Sequence, residues 1–191
     1  MASKKIDLPA VEAAVAQLIR ALGDDPAREG LEDTPRRAAK MYAEMLAGVT
    51  ITNDEIVALH GKTFADPGTE MVLVKDIGCF SFCEHHFALM YNMKVHVAYI
   101  PQGRVVGLSK VARIVDLVSK RFQLQERIGA DIAYILGKIL GVEDIMIIIE
   151  GEHSCMTARG IRTQGAKTRT NTARGRFAYN PDLHQAVINQ I

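Results

Sequence analysis

Two short clusters hold the most reactive side chains of this 191-residue sequence: Cys83-Glu84-His85-His86 and His153-Ser154-Cys155. Thiolates and imidazoles at such short spacings suit zinc. Cys83 and His86 lie three apart, so one turn aims both at a common point, whereas the adjacent His85 and His86 diverge. Cys83, His86 and Cys155 are therefore the expected ligands. Three protein ligands leave a fourth position open, the pattern of a catalytic metal site in which bound water ionises near neutral pH. Two alternatives stay open on spacing alone. One is a closed structural site with His85, His153 or Cys79 as the fourth ligand; the other is ordinary buried thiols without metal.

Local charge gives a second signal. No acid lies between His153 and Pro181, yet Arg159, Arg162, Lys167, Arg169, Arg174 and Arg176 do. Gly107-Leu108-Ser109-Lys110 adds a lysine at an expected helix N-terminus, with Arg113 one turn on. Free N–H groups and the helix dipole favour a phosphate there. For the 159–176 run the competing reading is a solvated basic face or an RNA surface, weakened because no aromatic residue lies within it to stack a base.

The third signal is Gln123-Leu124-Gln125-Glu126-Arg127 at a helix start. One carboxylate, Glu126, can accept from both the N1–H and the 2-amino group of guanine. A solvent-facing first-turn glutamate is the plain alternative. Gly61-Lys62-Thr63 imitates the end of a P-loop, but Ile56 stands where the first glycine belongs and no strand precedes it. His60, His96 and His184 stand alone and read as ordinary surface or satisfied histidines.

The elements that must position these residues follow from periodicity. Leu8, Val11, Val15, Leu18, Ile19 and Leu22 recur at helical spacing, with Asp7 as cap. Thr34-Pro35 opens a second helix with a stop expected at Gly48, and a third is expected over 53–59. After Pro67 the pattern turns to strands, at 71–82 and around Val95, Val97 and Tyr99. Two helices follow, one with Val111, Ile114, Val115 and Val118 on a face and Ser109 as cap. The other carries Ile128, Ile132, Ile135, Leu136 and Ile139 and ends at Gly141. Strands are expected at 144–150 and 167–177. This order reads as α+β with an antiparallel sheet, divided into a helical N-terminal region (1–66) and a core (67–191).

Composition excludes several classes. Hydrophobic residues make up 48% and charged residues 24%, and the formal charge is +1, so global charge gives no reason to expect nucleic-acid or membrane binding. No apolar run approaches the roughly 20 residues of a membrane helix. The first ten residues carry no apolar leader core, and three cysteines make no complete disulfide framework, so a reducing cytoplasm is expected.

Taken together, Ser81 to His86, Ala98-Tyr99-Ile100-Pro101, Gly107 to Lys110 with Arg113, Gln123 to Arg127, and His153-Ser154-Cys155 with Ala158-Arg159-Gly160 resemble the GTP cyclohydrolase I family. Asp33 to Arg37 and Ala39 to Tyr42 resemble its N-terminal region, and the likeness runs from about residue 8 to the end. The resemblance implies conversion of GTP and water into formate and 7,8-dihydroneopterin triphosphate, the first step toward folate. It implies a tunnelling-fold core with two helices on one face of the sheet. It also implies a toroidal homodecamer of two pentamers with active sites at subunit interfaces.

By position it places zinc on Cys83, His86 and Cys155, and catalytic roles on His85 and His153. Glu126 becomes the guanine anchor with Gln125 beside the substrate. Ser109, Lys110, Arg113 and Arg159 become phosphate contacts, and Arg37 reaches a neighbouring subunit's site. Two departures stand out. Residues 87–93 lack the proline and glycine common in the family and run one residue longer, and Phe122 replaces a usual proline or leucine. Rival readings are a nitrile reductase on the same core, a zinc-stabilised RNA module, and an enzyme that stops at a ring-opened product.

Overall fold

A computed structural model describes residues 5–191. Its N-terminal part is helical. Helix α1 (Leu8–Ala21) is capped by the Asp7 carboxylate, which accepts from the Ala10 N–H at 3.0 Å. Helix α2 (Thr34–Met45) carries Pro35 in its first turn. Helix α3 (Asn53–His60) opens on a capping box between Thr52 and Glu55. Gly48 does not end α2; it lies in the 3₁₀ turn Ala47–Thr50 that follows. A Cβ there would collide with the Leu117 carbonyl, so the glycine serves a close approach rather than a helix stop.

The sheet has the order β5 (Phe122–Gln123), β2 (Val72–Cys83), β3 (Ala88–Tyr99), β6 (Ile145–His153), β7 (Lys167–Ala173). Every pair is antiparallel except β2 with β5. A separate ribbon joins β1 (Thr63–Ala65) to β4 (Arg104–Val106). Helices α4 (Leu108–Ser119) and α5 (Gln125–Leu140) lie on one face, as expected. Val111, Ile114, Val115 and Val118 of α4 and Ile128, Ile132, Ile135 and Leu136 of α5 close a core against Val95, Val97, Ile147 and Ile149. Truncating one such isoleucine to alanine removes about 2–5 kcal/mol. Gly141 ends α5 at φ 69°, a left-handed turn that glycine adopts without strain.

Three short helices complete the chain: α6 (Ser154–Thr157), α7 (Arg176–Tyr179) and α8 (Pro181–Ile188). The strand expected over 167–177 stops at Ala173, and Gly175 turns the chain at φ 55°. Asn180 then caps α8 by accepting from the Leu183 N–H at 3.1 Å. Phe177 and Val187 thereby cover Ala98, Met146 and Ile148 on the sheet's other face.

Strand β3 carries a bulge at Tyr91–Met93. Its register against β2 and against β6 slips by one residue there, and Asn92 has φ 50°. Met90 and Met93 consequently both face the α4–α5 core, which strict alternation forbids. Gly151 of β6 makes room, since a Cβ there would sit 2.8 Å from Met93. The bulge falls within the segment 87–93 singled out from the sequence.

Direction along the sheet matters for the site. Val72, Tyr99 and Ile145 align at one end; Cys83, Ala88 and Gln123 align at the other, where Met90 pairs with His153. Helix α4 starts after β4 at the Tyr99 end and delivers the chain to β5 at the Cys83 end. Its 12 residues span about 18 Å.

Candidate active site

Cys83 ends β2, where it is paired on both sides, with Ala88 of β3 and Gln123 of β5. His86 lies in the turn that follows, closed by its own N–H on the Cys83 carbonyl. Cys155 sits on the single turn of α6 after β6. Their ligand atoms lie within 4.8 Å of one another. A tetrahedral ion with S ligands at about 2.3 Å needs edges of about 3.8 Å, so slight closing around one metal satisfies the geometry. The donor chemistry fits as well. Burial raises the Cys155 thiol above its usual range, and the facing Cys83 adds to this, while Arg159 opposes both. Two facing thiols ionise together only with a cation between them. The His85 and His86 rings stand 6.4 Å apart at 86°, so the two do diverge.

His153 is the residue before α6. Its Nε2 lies 2.9 Å from Gln125 Oε1. The Gln125 amide nitrogen donates to the carbonyls of Ile149 (3.1 Å) and Thr168 (3.0 Å) and to the Thr170 hydroxyl (3.3 Å). Carbonyls only accept, so the amide is oriented with its oxygen toward His153. The proton on that bond therefore belongs to Nε2, and Nδ1 is the free acceptor of the neutral ring. Burial lowers the His153 pKa, against the charge of Glu126. Gln125, expected beside substrate, is 2% exposed, and its side chain is spent on His153 and the sheet.

Glu126 follows in the first turn of α5 and is exposed. Arg127 beside it is held by Glu84, with Nη2 3.1 Å from Oε1. A partly buried clasp fixes this helix start. Arg121 donates to Gly48 O (3.0 Å), Ile51 O (2.9 Å) and Asn53 Oδ1 (2.7 Å). Asp131 of α5 accepts from Asn53 (2.9 Å) and from Gln123 (3.0 Å). Breaking so enclosed a set costs about 3–5 kcal/mol. Sequence reading missed this clasp, because its members lie on three separate segments, 48–53, 121–123 and Asp131.

One family model, described as GTP cyclohydrolase I, matches residues 11–191. A protein named GTP cyclohydrolase 1 from Clostridium botulinum (strain Loch Maree / Type A3) is 56% identical over 189 residues, covering 96% of each chain. Others of that name from Clostridium acetobutylicum and Ruminiclostridium cellulolyticum are 54% and 53% identical, covering 93% of this chain and 94% of theirs. The chain belongs to the GTP cyclohydrolase I family.

It is thereby an enzyme of the hydrolase class. The Cys83 end of the sheet gathers Cys83, His85, His86, Gln125, Glu126, His153, Cys155 and Arg159. Ser109, Lys110 and Arg113 lie toward the far end, at the start of α4. Ser109 is not the cap; Gly107 is, and no side chain caps this end. Arg37 is exposed on α2 and pairs with Asp33 at 3.0 Å. The basic run 159–176 is not one patch: Lys167 pairs with Glu150 and Arg176 with Asp144, acids from other segments. Gly61-Lys62-Thr63 leads from helix into strand, the reverse of a P-loop. His96 Nδ1 accepts from the Asp76 N–H at 3.2 Å, but buried His60 leaves Nδ1 without a partner. Among the described residues no helix is long and apolar enough to cross a membrane.

Proposed function

We propose that this enzyme is a zinc-dependent GTP cyclohydrolase. It opens the imidazole ring of GTP, releases C8 as formate and forms 7,8-dihydroneopterin triphosphate, the first step of tetrahydrofolate biosynthesis. The observation that carries this is the convergence of Cys83, His86 and Cys155 beside an oriented His153.

When bound, zinc supplies Lewis-acid activation of the hydrolytic water. Glu126 accepts from the N1–H and 2-amino group of guanine, and adenine, lacking both donors, leaves the carboxylate unpaired. His153, working through Nδ1, and His85 move protons at N7 as the ring opens. Ser109, Lys110, Arg113 and Arg159 hold the triphosphate and orient the base.

Ser109 and Lys110 stand about 15 Å along α4 from its end near Cys83, a separation that supports a site completed between subunits. A toroidal decamer of two pentamers, with Arg37 reaching a neighbour, provides this. Helix α1 supports it: Leu18 and Leu22 are 56% and 78% exposed, and an apolar recess of about 420 Å³ opens between α1, α2, Phe87 and Phe122. In this reading residues 1–66 serve assembly and residues 67–191 form the catalytic core. The free thiols fit a cytoplasmic enzyme. Metal analysis tests the reading: wild type should hold one zinc per chain and Cys155→Ala none. Full zinc in that variant would overturn the ligand set.

A further inference from the structure

Cys155 is the least anchored of the three sulfur and nitrogen donors. Cys83 is held by strands on both sides, and His86 follows it by one turn. Cys155 rides on four-residue α6, whose N-terminus has no side-chain cap. One side-chain chain of hydrogen bonds ties that turn to the central strand. The Thr157 hydroxyl donates to the His153 carbonyl at 3.3 Å, which commits its single proton. The Tyr91 hydroxyl, 3.0 Å from Thr157 Oγ1, must then be the donor to it. Thr157 is 5% exposed, so water does not compete for these bonds.

The bulge adjoins this tie. Met90 and Met93 both take core positions, so the residues between them are displaced from strict alternation. With Met90 turned to the α4–α5 core, its neighbour Tyr91 turns to the opposite face of β3.

We propose that Tyr91 is a positioning residue for the metal ligand Cys155, acting through Thr157. The inference rests on the zinc site proposed above. Second-sphere partners of metal ligands are worth about 10–100-fold in affinity when they touch the ligand directly. Tyr91 acts one residue removed, so the low end, roughly tenfold, applies.

The test is zinc release from the full-length protein into excess chelator, followed by colour change of a metal indicator. Tyr91→Phe and Thr157→Val should each release zinc roughly tenfold faster than wild type. The double variant should be no faster than the quicker single, because both break one chain of bonds. Thr157→Ser keeps the hydroxyl and should release at the wild-type rate. Wild-type release from Tyr91→Phe and Thr157→Val would overturn the proposal while leaving the zinc site standing. A wild-type protein that binds no zinc would overturn both.

Discussion

His153 Nε2 and Gln125 Oε1 are joined at 2.9 Å, and the donors of the same amide are taken by the Ile149 and Thr168 carbonyls. The imidazole is thus held by a group that cannot rotate, and its free nitrogen is Nδ1. Gln125→Glu keeps an acceptor toward His153; Gln125→Leu keeps none. Turnover should fall about tenfold or more in the leucine variant, less in the glutamate variant, with KM for GTP little changed in both. A large rise in KM with unchanged kcat would instead make Gln125 a substrate contact.

Glu126 is exposed at the start of α5, with its neighbour Arg127 already paired to Glu84. In the proposed function its carboxylate is the guanine anchor. Glu126→Gln places a donor where guanine also donates. GTP binding should weaken by about 2–5 kcal/mol. Calorimetric titration of both forms checks this, and equal affinities would remove Glu126 from guanine recognition.

His85 diverges from His86 and has no place in the ligand trio. His85→Ala should retain zinc and slow dihydroneopterin triphosphate formation about 10²–10⁴-fold. Metal content and turnover on one preparation decide the matter. Loss of zinc would make His85 a ligand, and normal turnover with zinc retained would make it a bystander.

His60 sets a pH dependence of stability. Burial, with Lys110 and Arg113 nearby, lowers its pKa below the ordinary value of 6.5. Above that value both folded and unfolded chains hold it neutral and it contributes no slope. As pH falls through 6.5 the unfolded chain takes the proton first, so folding weakens, and the loss levels off below the folded-state pKa. His60→Leu also removes the unpartnered Nδ1. Denaturant midpoints between pH 7.5 and 5 should drop less for His60→Leu than for wild type. Parallel curves would mean the histidine does not titrate with folding.

The convergence of Cys83, His86 and Cys155 into a group that could hold a metal ion was legible, because cysteine and histidine are chemically distinctive and their spacings short. The faces of α4 and α5 were legible from 3.6-residue periodicity. Strand ends were less so, because β6 runs to His153 by pairing with β3 and, as far as Glu152, with β7, partners the local pattern does not name. The bulge at Tyr91–Met93 was not legible, because its register shift is set by both neighbouring strands. Gly175 turns the chain after β7, yet the alternation of Thr168, Thr170 and Thr172 carried the strand expectation past it to residue 177. The bond from Gln125 to His153 spans 28 positions and has no local signature at all.

The most direct measurement is a product analysis of GTP incubated with the zinc-loaded protein. Formate and 7,8-dihydroneopterin triphosphate should appear in equal amounts as GTP disappears, and chelation of the metal should stop both. A ring-opened purine that keeps C8 as a formamide, with no formate released, would contradict the proposed reaction. So would GTP that remains intact beside a zinc-loaded chain.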